Sequence, residues 1–144
     1  VTFPIRAALL PNRAEALSCA EAADHLLLND KEITGLTGRD TADAAVTALA
    51  ETLASDTTIV VKCGARGAIA AGPSGRHEAT AAACAPFDTV GAGDAFNAGY
   101  LAALAKGHDI GHALQAGTDT AGAVIAAFPR ETGPIAAPGR RRSA

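Results

Sequence analysis

Gly91-Ala92-Gly93-Asp94 places a carboxylate directly after three small residues that let the backbone approach a ligand closely. The segment that follows, 95–106, reads as helix, so Asp94 falls in a first helical turn. Unpaired amides and the helix dipole favour negative charge there. A carboxylate so placed could accept a proton from an attacking hydroxyl while the amides stabilise charge growing on a transferring phosphoryl group. The same four residues also admit a purely structural reading, in which the glycines close a turn and Asp94 caps the helix.

The longer run Asp88-Thr89-Val90-Gly91-Ala92-Gly93-Asp94-Ala95-Phe96 is more specific. It resembles the C-terminal signature of the ribokinase-like (PfkB) sugar kinases, Asp-Thr-x-Gly-Ala-Gly-Asp followed by a small residue and Phe. The resemblance implies that Asp94 is the catalytic base and that the amides of Gly91, Ala92 and Gly93 form an anion hole. Upstream, Asn29-Asp30-Lys31-Glu32 is similar to the family's Asn-x-x-Glu element. The apolar run Leu26-Leu27-Leu28 reads as a buried strand that would deliver Asn29 and Glu32 to the carboxyl edge of a sheet. Mg²⁺ keeps several waters and takes few protein oxygens, so this pair, acting through water, is enough when ATP supplies the remaining ligands. Taken alone, the four residues are a strand-end Asn and a first-turn helix Glu.

A third block, 58–68, is a continuous apolar strand running into a turn with two glycines, similar to the family's strand and Gly-x-x-Gly turn beside the nucleotide. Gly64 and Gly67 would let the backbone pass close to ribose or phosphate, and Lys62 or Arg66 could add charge. A plain β-turn accounts equally well for either glycine. Downstream, 113–128 corresponds to the helix that lines the adenine pocket in the family, with Leu114, Gly117, Ala121, Val124 and Phe128 near helical spacing. Family members often carry Asn near the position of Thr118, and this chain does not. The segment 129–134 would close the pocket and, with the carbonyls of Asp88 and Val90, would contribute to a monovalent-cation (K⁺) site.

These residues need elements to hold them, and the hydrophobic pattern supplies an alternating series. A helix over 14–23 leads to strand 26–29. Asp40 can cap a helix whose Ala42, Val46, Leu49 and Leu53 share a face, and strand 58–62 follows. Segments 68–71 and 78–83 are candidate strands flanking the turn Gly72-Pro73-Ser74-Gly75. Helix 95–106 stops at Gly107, Asp109 can cap the last helix, and Pro129 ends it. Alternation of this kind predicts an α/β fold with a mostly parallel sheet and ligands at its carboxyl edge. With the resemblance it becomes the C-terminal half of a ribokinase-like three-layer α/β/α fold, residues 1–135 forming the partial domain and 136–144 a flexible tail.

The chain has 144 residues, whereas kinases of this family are about a whole half longer on the N-terminal side. The missing half would hold the sugar-binding elements and the lid. Val1-Thr2-Phe3-Pro4-Ile5-Arg6 stands where the family has an Asp-x-Asn-x-Arg-like element, and only the Arg is kept. There is no Met even at position 1, which points to a fragment, a processed chain or an unusual start codon.

Composition narrows the class further. A net charge of −3 gives no basic bias toward nucleic acid, and Arg140-Arg141-Arg142 reads as a solvated tail. Cys19, Cys63 and Cys84 are widely spaced and form no CxxC pair, which suits reduced thiols in a cytoplasm. No run has membrane-spanning length, and the expectation is of a domain without a secretory signal. The combined expectation is the nucleotide-binding, catalytic half of an ATP-dependent kinase acting on a small sugar or sugar acid. Segments 61–68 and 96–101 look most like 2-keto-3-deoxygluconate kinases, with fructokinase or ribokinase next. The rival expectation is a non-catalytic nucleotide-binding or structural remnant that oligomerises or assembles with a complementing N-terminal half.

Overall fold

The computed structural model describes residues 2–4, 13–53, 56–83 and 89–127. Their elements run β1 (Thr2–Pro4), α1 (Arg13–Glu21), β2 (His25–Asn29), α2 (Asp30–Thr37), α3 (Ala42–Ala50), β3 (Thr58–Lys62), β4 (Ala68–Gly72), β5 (Gly75–Ala79), α4 (Ala92–Ala105) and α5 (Ile110–Ala126). One five-stranded sheet follows chain order, β1-β2-β3-β4-β5.

Strand pairing divides by connection length. β1, β2 and β3 are parallel, with Asn29 opposite Lys62 at the carboxyl end. β3, β4 and β5 pair antiparallel, because a three-residue 3₁₀ turn at Gly64–Arg66 and the tight Pro73-Ser74 link are too short for a parallel crossover. The sheet is therefore mixed: its parallel part is the part with helical crossovers, and the expected parallel character stops at β3.

The continuous apolar strands are explained by burial on both faces. Leu26, Leu28, Ile59, Val61 and Ile69 point into one core with Ala16, Ala20, Ile33, Leu36, Ala45, Val46 and Leu49 of α1, α2 and α3. Leu27, Val60, Ala68, Ala70 and Ala79 point into the other with Phe96, Tyr100, Ala103, Ala113 and Leu114 of α4 and α5. The architecture is a three-layer α/β/α sandwich. On the second face α4 and α5 approach closely, since a Cβ at Gly99 would strike Thr120 and one at Gly117 would press on the Phe96 ring.

Several boundaries differ from the sequence expectation. α3 is capped by Thr41, whose side chain accepts from the Ala44 amide, and Asp40 lies one residue too early. α4 begins at Ala92, three residues before the expected start, because the first turn is built from the Gly-Ala-Gly run itself. β5 is 75–79 and not 78–83, since the two-residue link sets its register opposite β4 directly. Asp109 does cap α5, accepting from the His112 amide at 2.8 Å, and α4 stops before Gly107 in a left-handed conformation. Phe128, Pro129 and the segments 129–134 and 136–144 lie outside the described residues.

Candidate active site

The pleat decides which side chains can meet at the carboxyl edge. Along β3, Val60 faces α4 and α5 and Val61 faces away, so Lys62 returns to the α4 side. Asn29, its register partner, ends β2 one strand over. The half-buried Lys62 ammonium donates to Asn97 Oδ1 at 3.1 Å, and a Cβ on Gly93 would lie 3.8 Å from its Nζ. Burial pulls the Lys62 pKa below the usual lysine range, and the nearby Glu32 and Asp94 carboxylates oppose that shift. Lys62, Glu32, Asp94 and Asn97 are thus gathered at one corner, from three elements.

Two helices start at this edge and their first turns differ. At α2, Asn29 is the N-cap: its Oδ1 accepts from the Glu32 amide at 2.8 Å, while Glu32 Oε2 accepts from the Asn29 amide at 2.8 Å. This reciprocal capping box is the structural reading of the Asn-x-x-Glu element, and it engages one Glu32 oxygen. At α4 the N-cap is Gly91, in a left-handed conformation with φ of 82°, and no side chain caps the turn. Ala92 donates to the Thr89 carbonyl at 3.2 Å, and the Gly93 and Asp94 amides, in the first turn, have no acceptor within the helix. Asp94 is exposed and lies in that first turn, so it is not the N-cap.

Residues 2–129 match the model of the pfkB family carbohydrate kinases. The chain belongs to this family. A comparison with curated proteins finds no match. Among solved structures, the PfkB chain is similar to aminoimidazole riboside kinase from Salmonella enterica, with a TM-score of 0.75 at 22% identity over 88% of this chain and 45% of that one. It is similar to a fructokinase double mutant from Vibrio cholerae O395 in its fructose, ADP and potassium ion bound form, with a TM-score of 0.74 at 24% identity over 88% and 44% of the two chains. A PfkB protein from Polaromonas sp. JS666 gives 0.71 at 27% identity over 87% and 42%. The chain spans less than half the length of these structures.

Other residues singled out in the PfkB sequence fall in different places. Gly67 has φ of 97° and is buried, and a Cβ there would run into the Ala79 carbonyl of β5. Its glycine is required by sheet packing whatever else passes nearby. Gly64 is also left-handed but open, with nothing within 4 Å of a Cβ position. Arg66 is exposed and turns to Asp43 of α3 at 3.9 Å, in an ion network that Arg76 and Glu78 complete. It does not join the Lys62 corner. Thr118 is buried on α5, and its hydroxyl donates to the Leu114 carbonyl at 2.9 Å. Of the cation-site pair, Val90 is exposed just ahead of α4, and Asp88 lies outside the described residues.

Asn97 is the residue that sequence reasoning did not single out as functional. Its signal was its spacing: three residues after Asp94, it shares a helix face with that carboxylate. No helix among the described residues is long and apolar enough to cross a membrane. Nor do three or more His, Cys, Asp or Glu side chains gather into a metal-holding group among them.

Proposed function

We propose that this chain is the nucleotide-binding and catalytic half of an ATP-dependent carbohydrate kinase, transferring a phosphoryl group to a hydroxyl of a sugar or sugar acid. The observation that carries the reading is the α4 N-terminus, which no side chain caps, with exposed Asp94 in its first turn and Lys62 alongside. Asp94 takes the proton of the attacking hydroxyl, and the Gly91, Ala92 and Gly93 amides stabilise the charge on the transferring group, Ala92 exchanging its 3.2 Å bond to the Thr89 carbonyl for one to the anion. Glu32 and Asn29 hold Mg²⁺ through water. The donor set fits, because the capping box involves one Glu32 oxygen and a water-bridged ion needs few protein ligands. Mg²⁺, when bound, neutralises polyphosphate charge. In this reading Gly64 and Gly67 border the nucleotide, Arg66 and Thr118 join them only on leaving Asp43 and the Leu114 carbonyl, and K⁺ sits at the Asp88 and Val90 carbonyls.

The sugar acid 2-keto-3-deoxygluconate is favoured by the residues 61–68 and 96–101. The fructose and aminoimidazole riboside named for the similar structures are the next candidates. Cysteine usage supports a cytoplasmic setting, with buried Cys63 a free thiol. The chain spans less than half of the similar structures, and in this reading it acts as an oligomer or together with a complementing N-terminal half. Calorimetric titration of the folded chain with Mg²⁺ and ADP or ATP tests the proposal. Weak binding with little turnover on a panel of sugars and sugar acids is expected. Absence of binding at millimolar nucleotide overturns it in favour of a structural remnant.

A further inference from the structure

Lys62 stands near two carboxylates and pairs with neither. Ion pairs among the described residues join Arg66 to Asp43, Arg76 to Asp43 and Arg76 to Glu78, and Lys62 belongs to none of them. An ammonium on a flexible four-carbon stem would ordinarily swing onto the nearest carboxylate, and Glu32 and Asp94 are both close enough to act on its charge. What holds it is a neutral acceptor: Asn97 Oδ1, one turn along α4 from Asp94, accepts a hydrogen bond from it at 3.1 Å. A neutral amide fixes the position of the ammonium without cancelling its charge. It also leaves the Asp94 carboxylate unpaired.

We propose that Asn97 is a positioning residue, which holds the Lys62 ammonium beside the first turn of α4 so that its charge meets the polyphosphate of a bound nucleotide and does not collapse onto Asp94 or Glu32. This inference rests on the nucleotide reading given above. It accounts for a polar side chain at position 97, on a helix whose adjacent Phe96 and later Tyr100 are buried in the apolar core.

The test is a double-mutant cycle read by calorimetry on the whole chain, with Mg²⁺ throughout and ATP and AMP as probes. Asn97→Leu, close in shape but lacking the acceptor, is expected to weaken ATP binding by roughly tenfold while AMP binding moves little. Lys62→Met should lose the same preference for ATP, and Asn97→Leu added to Lys62→Met should then have no further effect. Asn97→Asp, which keeps shape and acceptor but adds a charge that neutralises Lys62, should also lose ATP preference, and it serves if the leucine variant does not fold. Equal losses for ATP and AMP, an unchanged ATP affinity, or a full loss persisting in the Lys62→Met background would overturn the inference. So would an aspartate variant that binds ATP as well as the parent. A parent chain that binds neither nucleotide overturns the underlying functional reading instead, and this inference with it.

Discussion

The amino ends of α2 and α4 lie at the same edge of the sheet and solve the same problem in opposite ways. Both helices begin with amides that the helix cannot satisfy. α2 closes its end with its own side chains, Asn29 and Glu32 exchanging bonds of 2.8 Å in each direction. α4 begins with a left-handed Gly91 and no side-chain cap. A helix of 14 residues packed along α5 and the sheet can leave its first turn uncapped, because burial of Phe96, Tyr100 and Ala103 anchors it elsewhere. The 8-residue α2 has less to spare. One end is closed by its own side chains, and the other is left without a side-chain cap.

The largest expected effect comes from the open end. In an enzyme completed by its sugar-binding half, Asp94→Asn keeps the size of the side chain and removes the proposed base. kcat should fall by roughly 10²–10⁴-fold, or about 3–5 kcal/mol in the barrier, with nucleotide affinity and unfolding midpoint little changed. An unchanged kcat would remove Asp94 from the mechanism and make both helix ends structural.

Smaller substitutions separate the two ends. Asn29→Ala deletes the acceptor for the Glu32 amide and should lower stability by about 1 kcal/mol in urea unfolding. Gly91→Ala forces a side chain into the left-handed region and should cost a similar amount, about 1–2 kcal/mol. The discriminating quantity is Mg·nucleotide affinity, which should suffer more from Gly91→Ala than from Asn29→Ala. Equal losses would erase the contrast. Glu32→Gln keeps an acceptor for the Asn29 amide but drops the charge, so stability should hold while more Mg²⁺ is needed for the same nucleotide binding. A Mg²⁺ requirement identical to that of the parent would leave Glu32 as a cap alone.

Strand 58–62, the helix ending before Gly107 and the Asp109 cap were legible because each is announced locally, by an apolar run, a glycine after the last helical turn, or an aspartate before one. The Gly91–Asp94 corner was legible because its residue types and order are unusual. What sequence alone did not reveal depends on contacts across the fold. Lys62 meets Asn97 only because the pleat sends Lys62 toward α4, and position 66, four residues on, is carried by the 3₁₀ turn to the opposite side. That Gly67 must be a glycine for packing follows only once β5 lies against it, since a Cβ there would strike the Ala79 carbonyl. Thr41 displaced Asp40 as a cap because two adjacent capping residues differ only in which one the backbone extends.

The smallest expected effect concerns the tie that anchors α4 away from its open end. Tyr100, fully buried on α4, places its hydroxyl 3.0 Å from His25 Nδ1 at the amino end of β2, the opposite end of that strand from Asn29. Burial lowers the His25 pKa, with the Asp24 charge opposing, and burial raises that of Tyr100. For His25 the unfolded chain binds the proton first, so its contribution to stability is present above about pH 6.5 and is lost as the pH falls from there toward the folded value. For Tyr100 the unfolded chain loses its proton first, so its contribution is present below about pH 10 and is lost as the pH rises above it. Urea midpoints of the parent, His25→Gln and Tyr100→Phe across both ranges check this. Relative to the parent, His25→Gln should flatten the acid limb and Tyr100→Phe the alkaline limb, each leaving the other limb in place. Parallel profiles for all three proteins would mean that this pair does not set the pH dependence, and that α4 is anchored by its apolar contacts alone.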